Sequence, residues 1–411
     1  MKTMTPNQEL LLSLLAQALF DRKTALPEDT DWSGLFQEAK QQAVLPLVFE
    51  SVKEQLPTAV RASLEAPVET CLLNNLLVDY EHVELHETMR AAGIDYVVMK
   101  GSASAAYYPR PMLRMMGDVD FLIRKEDAER GGEALRALGF RETAERDNPI
   151  HQAYVRRGED GRRSEWELHW LPNGIPRNET GERIRELLSD SVETARLYQT
   201  ENGAYMVPDD FHHGLMLLTH TAMHLMHSGV GLRHLCDWAV FASHFGEKDF
   251  RALFEERLRE IGLWDFAAAL TAVSVRYLGC PDARWQGELP ESLTQGLLLD
   301  ILRGGNFGKK DRERLNEAKL LVNRREGTVR RGAWLRNAAS AMNEKARRLM
   351  PVTRRLPLLL PIGWLRVGLR QCRRILSGRR PGLHLKSMVE GAAERSALYQ
   401  QLRIFEDAGE E

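Results

Sequence analysis

The sequence predicts an α+β protein in which a small mixed β-sheet is flanked by N-terminal helices and a C-terminal helical domain. Two patterns favour this class. Apolar residues recur at spacings of three and four over residues 5–90 and again beyond residue 208, which is typical of amphipathic helices. Between residues 93 and 208, short apolar runs of strand length alternate with helical stretches and polar, glycine-containing turns.

We expect four parts. Residues 1–92 form an N-terminal helical layer, residues 93–208 the α/β core, residues 209–303 a helical domain and residues 304–411 a basic C-terminal helical region. The 411 residues are enough for two or three domains with a sizeable core. The last boundary follows from the break at Gly304-Gly305-Asn306-Phe307-Gly308, where glycines interrupt the helical pattern.

The composition is that of an ordinary globular protein, with 43% hydrophobic and 28% charged residues. The four cysteines lie far apart without a C-x-x-C pair, so they indicate neither a disulfide framework nor a zinc knuckle and suit a reducing cytoplasm. The N-terminus turns polar too early for a signal peptide, and no apolar run approaches the roughly 18 residues of a membrane span. We therefore expect a cytoplasmic protein, and peripheral association with a membrane stays open.

Residues 5–90 predict three helices. A leucine-rich first helix precedes Asp31, which is a plausible N-cap for a second. That second helix should stop or kink before Pro46, because the residue before a proline avoids the helical conformation. A third helix should run from about residue 68 to residue 89 and pack with the others against the sheet.

The stretch from residue 93 to residue 124 contains the residues best suited to bind a metal ion and phosphate groups. Tyr96-Val97-Val98-Met99 predicts a buried strand broken by Lys100-Gly101-Ser102, and Asp118-Val119-Asp120 enters a second strand. Side chains two apart in a strand share a face, so Asp118 and Asp120 would present two carboxylates that repel each other. A divalent cation relieves such repulsion through its positive charge, and Mg²⁺ suits this pair because it prefers oxygen ligands. The Gly101-Ser102 turn would let backbone N–H groups approach phosphate oxygens.

A third strand is predicted from Ser164 to Trp170. Its residues alternate, so that Glu165, Glu167 and His169 would lie on one face and the apolar residues between them on the other. The pattern leaves two interpretations open. The acidic face is either a solvated strand surface or the source of a further carboxylate beside the Asp-x-Asp strand.

The order of strand, Gly-Ser turn, helix and Asp-x-Asp strand resembles the nucleotidyltransferase superfamily that includes DNA polymerase β. The fuller pattern of Lys100, Tyr108, Arg114 and Gly117-Asp118-Val119-Asp120 resembles the bacterial branch described as uncharacterised nucleotidyltransferases. The 15 residues between Ser102 and Asp118 exceed the usual superfamily spacing and fit this branch better. The resemblance implies a polymerase β-like core.

The resemblance also implies a Mg²⁺-dependent enzyme. It would move a nucleoside monophosphate from a nucleoside triphosphate to a hydroxyl or phosphate of an acceptor and release pyrophosphate. Glu167 matches the acidic position that the branch places before Leu-His-Trp, and Glu165 is the alternative candidate for the third carboxylate. The implied catalytic and metal-binding residues are Asp118, Asp120 and Glu167. The implied nucleotide-binding residues are Lys100, Gly101, Ser102 and Arg114.

The segment after Asp209-Asp210 contains four histidines at spacings of 7, 4 and 3, close to one helical face. They are His213, His220, His224 and His227. A shared metal ion, a buried hydrogen-bonded seam and a lining of the catalytic cleft all remain open. The metal is disfavoured, because no acidic residue lies within the helix as in a zinc-type motif.

A second group of residues that is typical of the branch follows this histidine-containing segment. Gly229, Arg233 and Asp237 match its Gly-x-x-x-Arg and Asp pattern. The resemblance implies a structural or substrate-shaping role, with a phosphate contact for Arg233 as one option. The candidate cleft-lining residues are His169, His220, His224, Arg233 and Asp237.

The C-terminal region is strongly basic. Residues 321–390 contain 17 Lys or Arg and 3 Glu, a balance of +14, so the rest of the chain carries −16 within a total of −2. The apolar run 356–365 leads into Arg366, Arg370, Arg373 and Arg374, as in an amphipathic helix. The segment 356–380 fits an anionic membrane surface, a nucleic acid, or an ordinary surface helix. Nucleic acid is disfavoured because few aromatic residues lie among the arginines.

Two other functions stay open. The first is a nucleotide-binding regulator with little turnover. The second is a membrane-surface accessory protein of a glycan or peptide-modification pathway. Three carboxylates favour an enzyme over the regulator. The sequence does not identify the acceptor, the base of the nucleotide or the oligomeric state.

Overall fold

The computed structural model describes residues 3–143, 148–159, 161–281, 284–311, 314, 317, 334–354, 356–376 and 385–406. The helices of the N-terminal half are α1 (Pro6–Phe20), α2 (Trp32–Gln41), α3 (Leu45–Val52), α4 (Thr58–Ala92), α5 (Gly101–Ala105), α6 (Ala128–Ala137) and α7 (Glu179–Leu187). Those that follow are α8 (Asp210–His227), α9 (Leu232–Ala242), α10 (Glu247–Phe250), α11 (Glu256–Glu260), α12 (Trp264–Leu278), α13 (Glu291–Gly304), α14 (Trp334–Leu349), α15 (Leu360–Leu376) and α16 (Leu385–Gln401).

Five strands form one mixed sheet. They are β1 (Tyr96–Val98), β2 (Val119–Ile123), β3 (Arg141–Glu142), β4 (His151–Arg157) and β5 (Arg163–His169). The strand order is β1-β2-β5-β4-β3, in which β2 and β5 are parallel and the other pairs are antiparallel. A separate antiparallel hairpin consists of β6 (Arg196–Gln199) and β7 (Ala204–Val207). The small mixed sheet predicted from the sequence is confirmed.

The N-terminal helices follow the sequence prediction in two places and depart from it in two, of which the first is the additional helix α3. Asp31 caps α2, since its side chain accepts a hydrogen bond from the backbone N–H of Gly34. Helix α2 ends before Pro46, which lies in the first turn of α3, where a missing N–H costs nothing. Helix α4 begins at Thr58 rather than near residue 68, and it continues through Pro67. The predicted start was wrong because packing of the long helix outweighs the one hydrogen bond lost at this proline.

Helices cover both faces of the sheet. On the first face, apolar residues of the strands pack against α4 and α6 in a core that includes Leu85, Phe121, Leu135 and Trp166. On the opposite face, Val97 joins the larger helical core. Asp120, Glu167 and His169 also point to this second face. A cavity between it and helices α8 and α9 contains the candidate site.

The C-terminal helix α16 packs on the helical core through a buried polar network. The hydroxyl of Tyr399 donates to the backbone carbonyl of Leu225 in α8 at 2.7 Å and contacts the Asp300 carboxylate in α13 at 3.1 Å. Arg395 also contacts the Asp300 carboxylate, at 3.3 Å. No helix in the part of the chain that the structure describes is long and apolar enough to cross a bilayer.

Candidate functional site

The pairing of β2 with β5 brings the acidic residues together. In the parallel register Asp120 lies opposite Glu167, and Asp118 comes directly before β2. One carboxylate oxygen from each of Asp118, Asp120 and Glu167 lies within 4.8 Å of the other two. Three oxygen donors at such distances match the ligand preference of a hard divalent cation. The residues implied as metal ligands thus form one cluster.

Two basic side chains compensate the charge of Asp120. The ammonium of Lys100 lies 3.0 Å from one oxygen of this carboxylate, and His169 Nε2 lies 3.1 Å from the other. Burial opposes ionisation of Asp120, but Lys100 and His169 outweigh it and hold the pKa of this carboxyl well below its ordinary value. Asp120 is therefore a carboxylate at neutral pH.

Asp118 differs from Asp120 in its electrostatics. It is exposed, and repulsion from the Asp120 carboxylate together with desolvation raises the pKa of Asp118 to about 6. A bound divalent cation would relieve that repulsion, because it gives both carboxylates an opposite charge. The donor set and its unrelieved repulsion therefore fit a divalent cation.

His169 and His151 form a second possible donor set with Glu167. The Nε2 atom of His169 lies 3.2 Å from Glu167 and that of His151 lies 4.0 Å from it. Burial lowers the pKa of His169, but its hydrogen bonds to Asp120 and Glu167 outweigh burial and raise the pKa above its ordinary value. Since Nε2 of His169 donates to both the Asp120 and the Glu167 carboxylates, this nitrogen has no lone pair free for a metal. The oxygen cluster is therefore the better cation site.

The turn after β1 brings Lys100 to this cluster. Lys100 has φ 55° and ψ −137°, a conformation that non-glycine residues rarely adopt, and Gly101 follows with φ 29°. Such backbone strain often lies at functional sites, where the surrounding structure maintains it. Ser102 is fully buried, and its hydroxyl lies 3.3 Å from His82 and 3.4 Å from the sulfur of Met116. The Ser102 side chain therefore points away from the cavity.

The cavity between the sheet and helices α8 and α9 has a volume of about 620 Å³. Its size is ordinary for a small-molecule site. The predicted residues that line it are Lys100, Gly101, Arg114, Asp118, Asp120, Glu167, His220, His224, Arg233 and Asp237. Ser102 and His169 are the two predicted residues that do not line it, although His169 contacts two that do.

The guanidinium of Arg114 forms a buried ion pair with Asp237. Its Nε and Nη2 donate to the two oxygens of the Asp237 carboxylate at 2.7 Å each, and both residues are 4% exposed. The hydroxyl of Tyr108 donates to the same carboxylate at 2.7 Å. Burial disfavours the charged guanidinium, but Asp237 outweighs burial and raises the pKa of Arg114. This bidentate pair joins the segment before β2 to α9.

Arg233 is the cation on the α9 side of the cavity. Its Nη1 donates to the backbone carbonyl of Met115 at 3.2 Å, and its guanidinium carbon lies 5.4 Å from the ring centre of Phe307. Among the residues that the structure describes, no carboxylate forms an ion pair with Arg233, and its buried Nε has no hydrogen-bond partner. Burial and the nearby Arg114 lower the pKa of Arg233 to about 10. An anion in the cavity would stabilise this charge.

The histidines of α8 divide into two groups. His213 is buried away from the cavity and stacks on Tyr107 at 5.0 Å between ring centres, while His220, His224 and His227 line the cavity. Burial lowers the pKa of His213 and of His224 to about 4, so both are neutral at pH 7. Within the described ranges, none of these histidines belongs to a group whose ligand atoms converge on one point. The arrangement favours cleft-lining over a metal site.

Sequence reasoning missed several residues that line the cavity. They are Asn173, Gly174, Leu217, Thr221, Met223, Ser228, His234 and Phe307. The sequence did contain a signal for Phe307, because this residue lies between glycines where the helical pattern was predicted to break. That break contains a tight 3-10 turn, Asn306–Gly308, and Gly305, Phe307 and Gly308 all have φ near +60°. For His234, the only indication in the sequence was its position next to Arg233.

One comparison with known proteins gives a match over more than half of the chain. Residues 28–279 match the model of a family described as uncharacterised nucleotidyltransferase. No curated protein matches the chain. A crystal structure of an antigenic nucleotidyltransferase-like protein from Paracoccidioides brasiliensis is similar to it, with a TM-score of 0.33 and 16% identity over 49% of this chain and 92% of that chain.

Proposed function

This chain belongs to the uncharacterised nucleotidyltransferase family, and we propose that it transfers a nucleoside monophosphate from a nucleoside triphosphate to an acceptor. The receiving group is a hydroxyl or phosphate, pyrophosphate is released, and the reaction depends on Mg²⁺. The observation that supports this best is the register of β2 and β5, which sets Asp120 opposite Glu167 and beside Asp118.

Asp118, Asp120 and Glu167 would hold the metal. When bound, Mg²⁺ supplies positive charge that offsets the charge developing on the phosphate oxygens in the transition state. The Lys100 ammonium, 3.0 Å from Asp120, keeps that carboxylate ionised and contributes further positive charge at the same edge of the sheet.

The triphosphate would lie between the Lys100 turn and Arg233. Lys100 and the backbone N–H group of Gly101 would approach it from the sheet side, and Arg233 would approach it from α9. Arg114 has a different part in this arrangement. Its guanidinium is held by Asp237, so it fixes the segment before β2, and its charge is already compensated.

The transfer step needs a base near the acceptor. An acceptor hydroxyl oxygen forms a bond to the α-phosphorus, and the bond from this phosphorus to the oxygen bridging it to the β-phosphorus breaks. The hydroxyl proton passes to Glu167, and the electron pair of the broken bond leaves with pyrophosphate. His169 donates to Glu167 at 3.2 Å and holds this carboxylate in place.

The test is calorimetric titration of the purified protein with each of the four nucleoside triphosphates, with and without Mg²⁺. We expect Mg²⁺-dependent binding of at least one nucleotide, and we expect Asp120→Asn to lose it, because the variant removes a charged ligand. Glu165→Gln is the matched control. Glu165 lies two residues from Glu167 on β5 and pairs with Arg163 at 2.9 Å outside the cluster. Nucleotide binding that Asp120→Asn retains would contradict the proposal.

A further inference from the structure

Helix α15 and the turn before it carry a cluster of exposed apolar side chains. The exposed fractions are 93% for Leu358, 63% for Leu365, 61% for Leu369, 54% for Leu356 and 49% for Ile362. Single exposed leucines are common on protein surfaces, but a contiguous apolar patch of this kind indicates an interaction site. We call these five residues the apolar stripe.

On helix α15 the apolar stripe lies on a different side from the contact with α14. Helix α15 packs on α14 through Gly363, where an added Cβ would lie 2.7 Å from the Cβ of Ala346. Successive residues of a helix are about 100° apart. Ile362, Leu365 and Leu369 therefore lie on the side turned away from Gly363, and the interior of the protein does not account for their apolar character.

Arginines lie beside the apolar stripe along the same helix. Arg366, Arg370 and Arg373 are exposed, and on a helical projection they lie between the stripe and the side that packs on α14. Residues 351–376 contain six arginines and no aspartate or glutamate. The side chain of Arg374 and residues 377–380 of the basic segment lie outside what the structure describes. The described surface is therefore apolar along one line and cationic along its edge.

This combination fits one kind of partner. A bilayer with anionic lipids offers an apolar phase for the leucines and negative headgroups for the arginines at the same depth. A nucleic acid offers phosphates but no apolar phase, so it would leave Leu358, Leu365 and Leu369 exposed to water. Charge complementarity and apolar burial together favour the bilayer.

We infer that α15 and the preceding turn dock this protein on an anionic membrane surface. Leu358, Leu365 and Leu369 enter the boundary between headgroups and acyl chains, and Arg366, Arg370 and Arg373 contact the headgroups. The inference does not depend on nucleotidyl transfer, since the cavity and this helix share no residue.

Vesicle flotation of the full-length protein tests the inference. One set of vesicles contains phosphatidylcholine alone and the other also contains phosphatidylglycerol. We expect binding only to the mixed vesicles, weakening as salt is added. Each arginine near an anionic surface strengthens partitioning about fivefold. The triple variant Arg366→Gln, Arg370→Gln, Arg373→Gln should therefore lose on the order of 100-fold. Leu365→Ser with Leu369→Ser should also lose binding, because the insertion of apolar area is removed.

Control variants use residues on other surfaces. Leu197→Ser replaces a leucine that is 59% exposed on β6, and Arg61→Gln replaces an arginine of α4 whose side chain is 43% exposed. Both should bind mixed vesicles as the unchanged protein does. Equal binding to both vesicle types, no binding to either, or unchanged binding by the arginine variant would each overturn the inference. Competition by single-stranded DNA that strips the protein from mixed vesicles would assign the surface to nucleic acid instead.

Discussion

Replacement of Asp237 by asparagine should strongly destabilise the protein, although it changes only a few atoms. Asp237 accepts two hydrogen bonds from Arg114 and one from Tyr108, each at 2.7 Å. The asparagine would keep the shape of the side chain but remove its negative charge. The Arg114 guanidinium, which is 4% exposed, would then be a buried charge without an opposite charge beside it.

The magnitude follows from the burial of the pair. Removing one partner of a buried ion pair typically costs about 3–5 kcal/mol, because the remaining charge loses its compensation while it stays out of water. Replacing both partners by apolar residues of similar volume is often nearly neutral. Arg114→Met with Asp237→Leu should therefore cost much less than Asp237→Asn alone. Tyr108→Phe should cost about 1–2 kcal/mol, since Arg114 still satisfies the carboxylate.

Urea denaturation followed by tryptophan fluorescence measures these differences. Trp238 is buried next to Asp237 in α9, so the signal includes the region that the substitution changes. A chain of this size need not unfold in one step, and the comparison therefore uses the midpoint of the same transition in each variant. A loss below about 1 kcal/mol for Asp237→Asn, or an equal loss for the double variant, would refute the reasoning.

Three further outcomes are expected. Because the pKa of Asp118 is raised to about 6, its protonation should weaken Mg²⁺-dependent nucleotide binding about tenfold between pH 7 and pH 5, measured by calorimetry; a flat profile would contradict this. Burial lowers the pKa of His213 to about 4, so the unfolded chain binds its proton first as pH falls, and stability that is complete above about pH 6.5 should decline toward pH 4. The loss is roughly 2 kcal/mol at pH 5, and His213→Phe should make the urea midpoint less pH-dependent or the assignment fails. Arg233→Gln should weaken nucleotide binding tenfold or more, as expected for loss of a hydrogen bond from a charged group, whereas Arg259→Gln on the surface of α11 should not, and equal affinities would exclude Arg233 as a phosphate contact.

The parts of the site that depend on local periodicity were predictable. Asp118 and Asp120 are two residues apart, as are Glu165, Glu167 and His169, and a period of two decides which of these share a face of a strand. The pairing of Asp120 with Glu167 is not local, since no spacing within either segment encodes a register between two parallel strands. The family resemblance singled out Glu167 over Glu165, and the residue pattern alone left that choice open.

Two features of the fold show where local reasoning ends. The hairpin of β6 and β7 was not predicted, although Asn202-Gly203 between two short strand-like runs is a turn signal. Arg114 and Asp237 lie 123 residues apart, and neither residue type shows from its own surroundings that it pairs with the other. The sequence interpretation assigned Arg114 to the nucleotide. The structure instead gives its guanidinium an internal carboxylate. A charge already compensated in this way has less to gain from a phosphate than Arg233, which no carboxylate among the described residues pairs with.

Arg233 and Asp237 lie four residues apart on α9, and this spacing relates stability to function at the site. One turn of the helix puts Asp237 against Arg114 and Arg233 at the cavity. Both arginines also donate to the same backbone carbonyl, that of Met115, three residues before Asp118. The Arg114–Asp237 pair therefore sets the distance between the carboxylates of the sheet and the cation of α9. A substitution at Asp237 should weaken nucleotide binding even at temperatures at which the variant remains folded. The reason is that Arg233 and the carboxylates of the sheet would no longer be held at the correct distance.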